Sequence, residues 1–162
     1  MITGTLPKET PYLRQLDLGE RLMIGPCDGQ RSIVGVRSDF RAQFDDNLEK
    51  LESGTPTPQV EVVPYELTRV GTFEEFIDSL LVRKDELVWE QDQILEFLIK
   101  YRKHLSQDEH GNDFLVKVGE EYLVVFIYVR VDGYPGAGLY PLGRNWKGLP
   151  LDRFFVLRSL VA

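Results

Sequence analysis

Residues 114–131 read FLVKVGEEYLVVFIYVRV. Two apolar runs, Phe114–Val118 and Tyr122–Val131, flank Gly119, Glu120 and Glu121, which is the spacing of a tight β-hairpin. The second run has ten residues and would extend about 33 Å as a strand. Side chains alternate across a strand, so Leu123, Val125, Ile127, Val129 and Val131 form one row. Tyr122, Val124, Phe126 and Tyr128 form the other row. A strand that is apolar on both rows needs cover on both faces and belongs inside a sheet, not at its rim.

Upstream of this hairpin the period changes from two to that of a helix. Thr72-Phe73-Glu74-Glu75 has the form of a capping box, in which the threonine hydroxyl and the glutamate carboxylate satisfy each other's free amides. Phe73, Phe76, Ile77, Leu80 and Leu81 follow as one helical stripe. Its phase is lost at Arg83, Lys84, Asp85 and Glu86, which predicts a break and a second helix carrying Ile94, Leu95, Leu98, Tyr101 and Leu105. The stretch Asp108-Glu109-His110-Gly111-Asn112 ends it. Phe40, Phe44, Leu48 and Leu51 predict a further helix, capped by Ser38 or Asp39 and stopped by Gly54-Thr55-Pro56.

The remaining segments read as strands and connections. Gln59–Leu67 has strand composition, and Pro64, which lacks an amide proton, assigns it to a sheet edge. Arg21–Gly25 and Ser32–Arg37 flank Pro26-Cys27-Asp28-Gly29 as a second hairpin. Asp132–Pro150 reads as a long connection rich in glycine and proline, and a last strand is expected near Arg153–Leu160. Residues 1–18 form an irregular N-terminal arm and 19–162 one domain. Strands and helices do not alternate regularly, so the expected class is α+β: a mostly antiparallel sheet with about three helices packed on one face.

Composition sets the broad class. The 162 residues are 43 % hydrophobic and 28 % charged, as in a folded globular chain. The single cysteine, Cys27, cannot form an internal disulfide, and the first residues lack the basic and apolar regions of a secretory signal. The expected compartment is the cytoplasm, with no membrane partner. A net charge of −7 repels phosphate backbones and disfavours general nucleic-acid binding. The charge is uneven: residues 39–96 hold fifteen acidic against five basic side chains, whereas residues 130–158 hold five basic against two acidic.

No local motif of catalysis or metal binding is present. Gly136-Ala137-Gly138 lacks the third glycine and the following helix of a dinucleotide fingerprint, and no cofactor is expected. His104 and His110, the only histidines, have no ligand spacing with the acidic residues around them. Cys27 has neither a second cysteine nor a histidine beside it.

Two features point instead to binding. The 132–150 segment holds Tyr134, Tyr140, Arg144, Trp146 and Lys147 among its glycines and prolines, residue types that give large contact area at low entropic cost. The acidic stretches bearing Asp45, Glu49, Glu52, Glu74 and Asp78 supply a surface that would match a basic partner. The expected function is a non-catalytic acidic module that docks on another protein, with the profile of immunity proteins, inhibitors and adaptors. Two alternatives remain open on sequence. One is a small enzyme using carboxylates such as Asp113, Glu121 or Asp132. The other is a nucleic-acid or glycan binder using the aromatic 132–150 segment.

Overall fold

Gly119 and Glu120 turn the chain between two long strands, as the spacing predicts, with Gly119 in the left-handed conformation at φ 59°. The computed structural model describes residues 5–107, 110–143 and 147–160. In chain order the elements are β1 (Leu13–Gln15), β2 (Leu22–Ile24), β3 (Gln43–Phe44), β4 (Val60–Leu67), β5 (Gly71–Thr72), α1 (Phe73–Ser79), α2 (Gln91–Tyr101), β6 (Gly111–Val118), β7 (Glu121–Val129), β8 (Pro135–Pro141), β9 (Lys147–Gly148) and β10 (Arg153–Ser159). Short 3₁₀ segments cover Val34–Asp39, Asp46–Lys50, Lys84–Glu86 and Arg102–His104.

An eight-stranded sheet dominates this mixed α/β fold. Its order is β1-β4-β10-β6-β7-β8-β3, with β2 pairing β4 as well, and β5 pairs β9 apart from it. Neighbours are antiparallel except at β10–β6 and β3–β8.

The two rows of β7 feed two separate cores. Leu123, Val125, Ile127 and Val129 join Phe114, Phe155 and the helix α2. Val124 joins Leu115, Phe154, Tyr65 and the helix α1. The expected packing of the helices on one face is therefore corrected: α2 lies against the first core and α1 against the second. A sheet apolar on both sides demands this, because each large side chain moved out of water contributes roughly 1.5–3 kcal/mol. Trp89, just before α2, anchors the first core: its amide donates to Leu115 O and its indole Nε1 to Phe155 O at 3.0 Å. Val131, expected to extend β7, lies beyond it and is exposed.

The first helix starts where expected, and the second carries Ile94, Leu95, Leu98 and Tyr101 but ends before Leu105. Thr72 and Glu75 form the capping box of α1, with Glu75 N donating to Thr72 Oγ1 and Thr72 N to Glu75 Oε1. The break falls at residues 80–90, where Leu81 takes φ 59°. The Asp108–Asn112 stop lies partly outside the described residues.

Four expectations are corrected. The Phe40–Leu51 stripe is not a helix: Phe40, just past one 3₁₀ segment, and Leu48, within the next, are both buried, with β3 between them. Asp45 explains the difference, since its carboxylate accepts from Asn47 N and from Leu139 N, pinning the chain to β8 in place of helical bonding. The hairpin at 21–37 does not form either. Only Leu22–Ile24 is a strand, and Gly29 N and Ile33 N donate to the side chains of Asp92 and Gln91 on α2. Pro64 is not on an edge strand, because β4 pairs with β10 along its length. Its other side is shared by β2, opposite residues 60–62, and β1, opposite 65–67, so the proline falls in the gap between two half-strands. Finally, the expected 132–150 connection is interrupted: Pro135–Pro141 form strand β8, which pairs with β7.

Candidate functional site

An apolar hollow lies between α2 and the Val34–Phe40 stretch, over the end of β7 and the start of β8. It measures about 340 Å³. Leu95, Leu98 and Ile99 of α2 line one side, Val36 and Phe40 the other, and Ile127 and Pro135 of the sheet also face it. The helix reaches this position because Gln91 and Asp92 at its first turn are buried and tied to the facing loop. Gln91 Nε2 donates to Leu51 O, Glu52 O and Ser53 Oγ, while Asp92 accepts from Gly29 N and from Arg31 Nε. α2 and the 29–53 region are thus held apart at a fixed width by polar bonds at one end. The hollow has the size and lining of a ligand or side-chain site, mostly apolar with a few polar groups at the mouth.

The mouth is charged. Arg31 is engaged by Asp92 and Glu96, at 2.5 and 2.9 Å. Arg102 donates through Nη2 to Gly133 O at 2.9 Å. A neighbouring cleft shares Asp39, Arg102 and Pro135 with the hollow and adds Arg41 and Tyr134. The Arg41 guanidinium lies 4.8 Å over the Tyr134 ring. Ile99 is 71 % exposed and Tyr134 40 %, so apolar surface continues from the hollow out to its rim.

No protein-family model, curated protein or solved structure matches this chain.

Among the described residues, those singled out in the sequence do not converge. Tyr134 stands at the mouth of the hollow. Tyr140, at the far end of β8, packs its ring against Phe126 in the opposite core, 5.7 Å between centroids. Burial, first, and then the Asp45 carboxylate raise its hydroxyl pKa. Lys147 is exposed in β9, opposite Thr72 at the cap of α1. Arg144 and Trp146 lie outside the described residues.

The acidic residues are divided too. Glu49 faces Arg37 at 3.8 Å, and Glu52 is exposed, its carbonyl held by Gln91. Asp45 is half-buried and bound to backbone amides. Glu74 and Asp78 lie on α1, across the sheet, where Lys84 approaches both at 3.4 and 3.8 Å. Each cluster thus carries its own cation, and no single acidic face joins them.

The three carboxylates named in the sequence, Asp113, Glu121 and Asp132, stand apart. Asp113 is fully buried, and neither of its oxygens has a hydrogen-bond partner. Burial and the nearby Asp152 carboxylate hold its pKa well above the usual carboxylate range. Glu121 opens β7 and Asp132 follows its end, so about 30 Å of strand separates them. Among the described residues no three His, Cys, Asp or Glu side chains come together as a cation site. Among the described residues no helix is long and apolar enough to cross a membrane.

Reading the sequence missed Ile99, Arg102 and Phe40 as parts of one site. A local signal existed for one of them: Ile99 follows Leu98 and widens the apolar stripe of α2 toward solvent.

Proposed function

We propose that this chain is a non-catalytic docking module that holds another protein at the hollow between α2 and the start of β8. The observation that carries the reading is an open apolar cavity of about 340 Å³ lined by the exposed Ile99 and adjoining the cleft that holds the exposed Tyr134. Aromatic and aliphatic anchors of a partner seat in such pockets, and polar rims then fix their register. The separation of Asp113, Glu121 and Asp132 weighs against the carboxylate-enzyme alternative. The distribution of Tyr134, Tyr140 and Lys147 over opposite faces weighs against a single aromatic platform for nucleic acid or glycan.

Site-specific photo-crosslinking in native lysate tests this. A crosslinker at position 99 is expected to capture a discrete protein that the same group at Leu81, also exposed but remote on the α1 side, does not. Identical adducts from both positions would overturn the reading.

A further inference from the structure

Resting on that docking site, we infer that the partner segment places a carboxylate directly beside its apolar anchor. The two arginines at the mouth carry this. Arg102 is bound through one nitrogen to a carbonyl, Gly133 O, and Arg41 is stacked on Tyr134. Among the described residues neither has a carboxylate within ion-pair distance, whereas the other arginine of the rim, Arg31, is already paired twice. The cleft they share contains one carboxylate, Asp39, against these two cations.

A guanidinium offers five N–H donors in a planar fork that fits a carboxylate in two parallel bonds. Arg102 keeps most of that fork available, and its Gly133 bond holds the side chain in place, which lowers the entropy lost on binding. Stacking on Tyr134 does the same for Arg41.

The chain's net charge of −7 does not reverse this preference. The screening length is about 8 Å at physiological ionic strength, so the charges lining the cleft set the field at the mouth, not the distant acidic stretches. An apolar anchor entering between Phe40 and Leu98 leaves its flanking residues beside Arg102 and Arg41, because the hollow and the cationic cleft share Pro135 and Asp39. A flanking Asp or Glu meets two cations there, and a flanking Lys or Arg meets like charge.

Selection of a random displayed 12-residue peptide library on the immobilised full chain tests the inference, with Ile99→Glu as counter-selection. Ile99 is exposed, so this variant is expected to fold, and its circular dichroism is compared with wild type. The expected result is enrichment of peptides with Asp or Glu within two residues of a large apolar side chain. Such peptides should bind the Arg41→Ala/Arg102→Ala variant about tenfold more weakly, as one lost charge-assisted contact implies. Their Asp→Asn counterparts should bind both proteins equally. Ile99-dependent peptides that carry neutral or basic flanks would overturn the carboxylate preference and leave the docking site standing. Failure to select any Ile99-dependent peptide would overturn the preference as well, while the crosslinking result decides the docking site separately.

Discussion

Gly136 lies beneath the ring of Tyr128, so close that a Cβ built on the glycine would sit 2.3 Å from the ring's Cζ. The two residues face each other across β7 and β8. Gly138 stands in a milder version of the same relationship with Tyr140 on its own strand, at 3.0 Å from the hydroxyl oxygen. The glycines of β8 are thus sites where aromatic rings lie flat on a strand, not the joints of a loop.

Gly136→Ala is expected to destabilise the protein by about 1–3 kcal/mol, the usual cost of overpacking, because the ring must leave its place and its bond to Gln43 Oε1. In a Tyr128→Ala background the same substitution should cost much less. A double-mutant cycle from urea unfolding measures the coupling, and an additive cycle would show that the ring is not what requires the glycine.

These particulars show which parts of the fold were legible. The strand at 121–129 was, because both of its rows are written in consecutive residues, and so was the start of α1, because a capping box needs four positions only. The Gly/Pro stretch was not. A glycine reads as a turn unless the tyrosine eight residues upstream is known to cross it, and that pairing is set by the β7–β8 register. Phe40, Phe44, Leu48 and Leu51 were rightly placed as apolar anchors, yet their helical spacing was coincidence, since Asp45 draws the chain into a bridge with β8 between them. Pro64 misled for a similar reason: a missing amide proton marks an unpaired position, and here that position is the gap between β1 and β2. The candidate site was legible only at Tyr134, because Phe40, Ile99 and Arg102 approach it from segments that the sequence keeps far apart.

Asp113 should make the protein less stable as the pH rises. Its folded-state pKa is held well above the ordinary value, first by burial and then by Asp152. A carboxyl raised in this way contributes stability that is fully present below its unfolded pKa, near 3.9, and is lost as pH climbs through the folded value. Asp113→Asn cannot ionise, so its stability relative to wild type should increase from pH 5 to pH 8. Urea unfolding of both proteins across that range gives the difference directly. A constant difference would mean that Asp113 does not titrate differently in the folded state.

Glu61 should act with the opposite sign. Burial alone would raise its pKa, but hydrogen bonds and charge from Arg21 and Arg158 outweigh burial and lower it. Arg21 Nε donates to Oε2 at 2.8 Å, and both Nε and Nη2 of Arg158 donate to Oε1. Stability from this group is present above the unfolded pKa and lost as pH falls through the folded one. Glu61→Gln is expected to cost about 1–2 kcal/mol at pH 7, less than for a fully buried pair because both arginines reach solvent. Its destabilisation should shrink below pH 4, where wild type also loses the charge. Unfolding midpoints at pH 7 and pH 3.5 check both statements.

Gln91 sets the width of the proposed docking hollow, and its removal should be felt there before it is felt in global stability. One side chain accepts from Ile33 N and donates to three oxygens of residues 51–53, joining α2 to both segments that face it. Gln91→Ala leaves the buried Ile33 amide without that acceptor, at a cost of about 1–3 kcal/mol. The loss is local, since the second tether, Asp92 to Gly29 N, remains in place. Amide hydrogen exchange is expected to accelerate at Ile33 and across residues 33–40, with strands β6, β7 and β10 protected as in wild type. Any partner captured through position 99 should dissociate faster from this variant, because Val36 and Phe40 would no longer be held opposite Leu95 and Leu98. Uniform acceleration across the sheet, or an unchanged dissociation rate, would show that the glutamine supports the whole fold and not the hollow in particular.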